Sequence, residues 1–189
     1  MAAPAGSLEK KLKFPCSIGA VLVMLLAQTF ALAPAPAAAA EVRKALVFDF
    51  DLIDDSQEGE ADGVRADQTQ RLVLISEELR KAIRTDGRYE LVDLTPIATD
   101  IERLRPIYKC NQCEDDLANK VGAEIVIIGT VQKVSNLILN LNLYVRDAKA
   151  GKVIQVMSSD IRGNTDESWI RGVRYVIKNQ LFAEKRPGQ

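Results

Sequence analysis

Two cysteines three positions apart, Cys110 and Cys113, are the residues of this chain best suited to chemistry. They stand just before a predicted helix, and in an oxidising compartment such a pair should form a structural disulfide. A redox-active pair is an alternative, because a helix N-terminus lowers the pKa of a thiol. Metal binding shared between subunits is another, since two cysteines cannot complete a four-ligand zinc site within one chain that lacks histidine.

An acidic segment, residues 51–67, could bind a hard cation such as calcium. Four of its side chains fall at ligand positions of a calcium-binding loop: Asp54, Ser56, Glu58 and Asp62. Gly59 stands at the sixth position, where such a loop needs glycine, but Arg65 stands at the twelfth, where a bidentate glutamate belongs. The hypotheses are therefore a cation site and a solvated, mobile loop.

Two polar segments could contact a partner. The first, residues 162–169, reads most simply as a turn and a helix cap at Thr165, and the second, residues 133–136, as a hairpin turn. Each also holds side chains that suit a partner-binding edge, because arginine and tryptophan often anchor interfaces. These candidate partner-binding residues are Arg162, Asn164, Trp169, Lys133 and Asn136.

The composition argues against catalysis. The chain contains no histidine, which excludes histidine-based triads, most zinc sites and the usual haem attachment signature. Ser168 has no neighbouring base in the sequence, and no glycine-rich loop for phosphate is present. We therefore expect no enzyme, no catalytic residue and no cofactor.

The first 40 residues have the layout of a cleaved secretory signal peptide. Lys10, Lys11 and Lys13 form a basic region, an apolar stretch follows, and small residues end at Ala40. The apolar stretch is shorter than the roughly 20 residues that a membrane span needs. We expect a periplasmic protein with no membrane span after processing. Without this segment the chain keeps 22 basic and 25 acidic residues, a net charge of −3 that gives no footprint for nucleic acid.

The remaining chain should form one domain over residues 41–183, with a flexible tail at 184–189. Alternating and continuous apolar patterns predict five strands at residues 42–50, 89–94, 124–134, 137–146 and 152–161. Helical spacing predicts a helix at residues 69–84, short helices within 97–107 and around 115–121, and a last helix from Thr165. The order β-α-β-α-β-β-β-α predicts an α/β (α+β) fold with helices on both faces of a mixed five-stranded sheet, in the order 2-1-3-4-5.

This pattern resembles a known group of envelope domains. The segments VFDF, YELVDL, GAEIVIIGTV and LYVRDAKAGKVI are similar to the N-terminal domain of TolB, and to domains of the curli secretion lipoprotein and of penicillin-binding-protein activators. CNQC, VQKVSNLIL and RGNTDESW resemble a secreted alphaproteobacterial family of unknown function. The TolB-like resemblance implies protein contacts in the envelope and no catalysis.

The sequence thus predicts a non-catalytic periplasmic interaction module that binds another envelope or periplasmic protein. The alternative is an accessory protein that binds a metal or small molecule through residues 51–67. The partner, the oligomeric state and the role of the cysteine pair stay open.

Overall fold

A computed structural model describes residues 42–183 of the protein. The predicted signal at 1–40 and tail at 184–189 lie outside these residues. A six-stranded mixed sheet forms the centre of the described part. Its strands are Arg43–Val47 (β1), Asp51–Asp54 (β2), Tyr89–Leu91 (β3), Ile125–Lys133 (β4), Ile138–Asp147 (β5) and Lys152–Arg162 (β6). The α-helices are Gln57–Asp62 (α1), Ala66–Asp86 (α2), Ala98–Leu104 (α3), Cys113–Lys120 (α4) and Asp166–Val176 (α5).

The sheet order is β3-β1-β4-β5-β6, with β2 paired to β4. β1 runs parallel to β3 and β4, and β2 also runs parallel to β4. β5 is antiparallel to both β4 and β6. The predicted mixed sheet is confirmed, and the five predicted strands lie in the predicted order.

The prediction of five strands is wrong, because the first predicted strand breaks and part of the acidic segment forms β2. Val47 pairs with Ile127 and Asp51 with Thr130, so one extra residue lies between the two paired stretches. The backbone N–H of Phe50 leaves the ladder and donates to Ser76 Oγ at 2.9 Å. The residues expected to be a mobile loop therefore form an ordered strand and helix α1.

Helices cover both faces of the sheet, as the order of the elements predicted. On one face, α2 and α5 pack against the sheet through buried side chains that include Leu79 and Trp169. On the other face, α3 and α4 contribute Ile101 and Leu117 to a second core. Successive residues of β4 point alternately into the two cores, which is why the strand has no polar face over this stretch.

The second face is left uncovered towards β5 and β6. Leu139, Leu141 and Leu143 of β5 point into the first core, as their alternation predicted. Leu137 was predicted to open this strand, at residues 137–146, but it lies before the strand, and 73% of the residue's area is exposed. An apolar residue that alternation assigns to the core is thus displayed to solvent.

Candidate functional site

Three segments that the sequence treats as separate features meet at one end of the sheet. The acidic segment supplies Glu58, the β4–β5 turn supplies Asn136, and the start of α5 supplies Asn164. Asn136 Nδ2 donates to Glu58 Oε2 at 2.9 Å, and Asn164 Nδ2 donates to Asn136 Oδ1 at 3.0 Å. The parallel pairing of β2 with β4 brings the acidic segment beside this turn. We call the connected side chains the polar network: Asp54, Ser56, Glu58, Lys133, Asn136, Asn164, Arg71 and Trp169.

Lys133 is the buried cation of the polar network. Its side chain is fully buried, and its ammonium donates to Asp54 Oδ2 at 3.0 Å and to Glu58 Oε2 at 2.9 Å. Burial acts to lower the pKa of Lys133, but the hydrogen bonds to Glu58 and Asp54 outweigh it, so the pKa stands above its usual value. The lysine is therefore held in its charged form, and it anchors β4 to the acidic segment.

The proposed cation ligands are largely engaged with other groups. Asp54 accepts hydrogen bonds from the backbone N–H and the hydroxyl of Ser56 as well as from Lys133. Ser56 also caps α1, accepting a hydrogen bond from the backbone of Gly59 at 3.1 Å. Asp62 is exposed at the end of α1. Two of the four proposed ligands thus share a protein ammonium group, and cation binding here stays a prediction.

Burial lowers the number of candidate residues that can contact a partner. Trp169 is fully buried in the first core, and its indole N–H donates to Asn164 Oδ1 at 3.1 Å. Arg71 of α2 donates to the same oxygen at 3.2 Å. The side chains of Trp169 and Lys133 are therefore buried, and their part in a partner-binding edge stays a prediction. These two residues hold the surface in place, while Asn136 and Arg162 remain exposed.

The β4–β5 turn presents its apolar side chains to solvent. Its polar side chains turn back: Ser135 Oγ accepts hydrogen bonds from the backbone of Leu137 and Ile138, and Asn136 joins the polar network. The exposed fractions are 54% for Val134, 73% for Leu137 and 50% for Ile138. We call these three side chains the turn surface. Hydrophobic residues held outward by an ordered framework are typical of an interaction site.

Residues 43–181 match the family model DUF3280, described as "Protein of unknown function (DUF2380)". The chain belongs to this family. No curated protein matches it.

Solved structures resemble this DUF3280 member in fold. The C-terminal domain of LpoB from Salmonella enterica is 15% identical, with a TM-score of 0.47 over 67% of this chain and 87% of that chain. Lipoprotein GNA1162 from Neisseria meningitidis is 13% identical, with a TM-score of 0.46 over 66% and 83% of the two chains. A PelC dodecamer from Paraburkholderia phytofirmans gives 10% identity and a TM-score of 0.45 over 72% and 87%. Identities and TM-scores this low do not assign the function of these proteins to this chain.

The cysteine pair of this family member lies away from the turn surface. A disulfide joins Cys110 to Cys113, with the two Cα atoms 5.5 Å apart. Cys110 Sγ lies 3.4 Å from Glu114 Oε2, and burial raises the pKa of Glu114 although Arg146 acts against this. The bridge closes a short turn in front of α4, where it packs against the second core. A structural role for this bridge stays a prediction, with a redox-active pair as the alternative.

Sequence reasoning missed the residues that form the turn surface and one that supports it. Leu137 opens an alternating run of leucines, so its sequence pattern favours burial and gives no sign of exposure. Arg71 looks like an ordinary charged position of α2, yet it also donates to Asp166 at 2.8 Å and so joins two helices. The sequence could have indicated Val134, because this residue stands in the polar turn at residues 133–136.

Among the described residues, no helix has the length and apolarity needed to cross a membrane.

Proposed function

We propose that the mature chain is a non-catalytic protein-interaction module of the periplasm or cell envelope, and that the turn surface contacts its partner. The observation that carries this proposal is the arrangement of the β4–β5 turn. The side chains of Asn136 and Ser135 form hydrogen bonds within the protein, while Leu137 is 73% exposed. An ordered loop of this kind loses little conformational entropy when it binds, because its shape is already fixed.

The location rests on the first 40 residues, whose basic, apolar and small-residue regions match a secretory signal. The resemblance to TolB-like envelope domains points the same way. A cysteine pair joined as a disulfide also suits an oxidising compartment.

The experiment is site-specific photo-crosslinking in the periplasm of the native host. A photoreactive amino acid replaces Leu137 in one variant and Val73 in a matched control, since Val73 is an exposed apolar residue of α2 with 55% of its area accessible. We expect a discrete protein adduct from position 137 and none of the same mass from position 73. Excess purified wild-type protein should abolish the adduct, and excess Leu137→Asp protein should not.

The proposal is wrong if the two positions give the same adducts, or if Leu137→Asp protein competes as well as the wild type. Thermal melting of Leu137→Asp separates binding from folding. Because the side chain is exposed, its melting temperature should stay close to that of the wild type.

A further inference from the structure

A groove that is separate from the turn surface lies beside the edge strand β6. A groove of about 570 Å³ lies between β6 and α5. Its floor is close-packed, since a Cβ at Gly172 of α5 would lie only 2.8 Å from Ile161 Cγ1. Its rim includes Tyr175, an aromatic residue of α5 that is 52% exposed. The groove therefore runs along an unpaired strand with a helix as its wall.

Strand geometry shows which backbone groups face this groove. The N–H of Gly163, just past β6, donates to Leu137 O beyond the start of β5, so Gly163 points towards β5. Backbone groups alternate in direction along an antiparallel strand. The backbone groups of Ser158, Asp160 and Arg162 consequently point away from β5, towards the groove.

The Gln180 side chain already makes a strand-like pair with one of these positions. Its Oε1 accepts a hydrogen bond from Ser158 N at 3.2 Å, and its Nε2 donates to Ser158 O at 2.7 Å. A neighbouring strand would pair with Ser158 through the same kind of amide donor and acceptor. The π-helical turn Ile177–Leu181 places this side chain, and Gln155 Nε2 fixes the turn by donating to the backbone O of Gln180 at 2.9 Å.

The two outward positions after Ser158 have no such occupant within residues 42–183. Asp160 and Arg162 both line the groove, and no further strand lies beside β6 in this part of the chain. Unpaired backbone groups at a sheet edge accept an added strand from another polypeptide. The edge is thus filled by a side-chain amide at one end and open at the next two positions.

The charges at the groove favour an acidic occupant. Arg171 of α5 lines it, whereas the side chain of Arg162, two residues from Asp160 on the same strand, points to the sheet face opposite α5. The carboxylate of Asp160 accepts a hydrogen bond from Asn140, which lies on the sheet face opposite α5, and is thereby drawn away from the groove. Arg171 has only a long contact, 3.4 Å, to the exposed carboxylate of Glu167. The guanidinium group of Arg171 can therefore meet a carboxylate of a ligand.

We propose that the groove between β6 and α5 binds an extended, acidic peptide segment of a partner protein, which adds to the edge of β6 as a further strand. The Gln180 side chain occupies the position beside Ser158 where this strand would otherwise pair. The added segment pairs with Asp160 and Arg162 through backbone hydrogen bonds, while its acidic side chain lies near Arg171. This site is separate from the turn surface, so the failure of either proposal leaves the other standing.

The test uses the purified protein and a capped seven-residue peptide in which threonine and valine alternate around a central glutamate. Amide NMR signals of Asp160 and Arg162 should shift and saturate as the peptide is added. The same peptide with a central lysine should bind at least tenfold more weakly. A peptide with proline at the positions facing β6 should give no shift, because proline lacks the N–H that pairs with the strand.

Variants separate strand addition from general stickiness. Gln180→Ala vacates the occupied position and should strengthen binding of the glutamate peptide at least threefold. Asn179→Ala is the matched control, since Asn179 lies next to Gln180 and donates its side-chain hydrogen bond to Tyr175 O of α5. Arg171→Glu should reverse the preference to the lysine peptide. Leu137→Asp should leave the peptide affinity unchanged.

The proposal is overturned if the proline peptide binds as tightly as the glutamate peptide, or if no saturable shift occurs at Asp160 and Arg162. It is also overturned if Gln180→Ala, with a melting temperature near that of the wild type, shows unchanged affinity. The Arg171→Glu variant keeps the test decisive should Gln180→Ala fold poorly.

Discussion

Asn164 and Asn136 are joined by a hydrogen bond of 3.0 Å, although 28 residues separate them in the sequence. The bond runs from Nδ2 at the start of α5 to Oδ1 in the β4–β5 turn. Asn164 also accepts the indole N–H of the buried Trp169. The turn surface is therefore connected to the core through two side-chain amides.

Replacing Asn136 by alanine should loosen the turn surface. The change removes hydrogen bonds to Glu58 and Asn164, and we expect the free energy of unfolding to fall by about 1 kcal/mol. Partner crosslinking from position 137 should fall more than this loss of stability explains. Chemical denaturation measures the first effect. Asn179→Ala, which removes one local exposed bond, is the control and should change stability by less.

Replacing Lys133 by methionine should lower the free energy of unfolding more than the same replacement of an exposed lysine. The long apolar stem is kept, but Asp54 and Glu58 lose the ammonium group between them. Because Glu58 keeps part of its side chain in solvent, we expect the free energy of unfolding to fall by about 2 kcal/mol. Lys149→Met is the matched control, because its side chain is 74% exposed and pairs with Glu124 at 3.2 Å. A loss as small as that of the control would contradict the role given to Lys133.

The stability should depend on Asp54 at low pH. Burial alone would raise the pKa of Asp54, but hydrogen bonds from Ser56 and Lys133 outweigh it and lower the pKa below its usual 3.8. A carboxyl group with a lowered pKa in the folded state contributes stability above its ordinary pKa. That contribution is lost as the pH falls through the lower value.

Unfolding of wild type and Asp54→Asn should therefore differ above about pH 4 and converge towards pH 2. Urea denaturation at several pH values measures the difference. A gap between the two proteins that stays constant over this range would contradict the lowered pKa.

Calcium should give no heat with the wild-type protein in titration calorimetry. Asp54 and Glu58 already bind the Lys133 ammonium, and Glu58 also pairs with Arg65 at 2.9 Å. A cation would have to displace these groups before it could bind. A lanthanide serves as a second probe with higher charge. Heat together with a rise in melting temperature would instead support the cation site predicted for residues 51–67.

Replacing both cysteines by serine should lower the free energy of unfolding by about 2 kcal/mol. The loss is at the low end for a disulfide because the bridge closes a very short loop. Reducing the wild type with dithiothreitol should produce a similar loss. If the pair is structural, the wild type should not oxidise or reduce a dithiol substrate. Turnover of such a substrate that disappears in the double variant would establish the redox alternative.

Much of the fold could be predicted from the sequence because side-chain periodicity is a local property. The continuous apolar run at residues 45–48 indicated a strand covered on both faces, and the structure places Ala45 and Val47 in one core and Leu46 and Phe48 in the other. Thr165 was predicted to cap α5, and its hydroxyl accepts a hydrogen bond from the backbone of Ser168. Such signals lie within a few residues of the structure that they specify.

The break between β1 and β2 had no comparable signal. Phe48 and Phe50 continue an apolar pattern that favours one strand, and both are buried. The ring of Phe50 lies against Gly129, at a place where a Cβ would overlap it. That fit depends on a glycine 79 positions away in the sequence, so local pattern cannot reveal it.

The sequence by itself determined five of the six strands and four of the five α-helices of the described residues, together with their order. Only the tertiary structure decided that Lys133, Asn136, Asp54 and Asn164 belong to one network, and that Leu137 rather than Trp169 faces solvent. The physical reason is that strand register sets which distant side chains meet. The pairing of Asp54 with Lys133 across β2 and β4 brings together residues 79 positions apart, and periodicity carries no information about that distance.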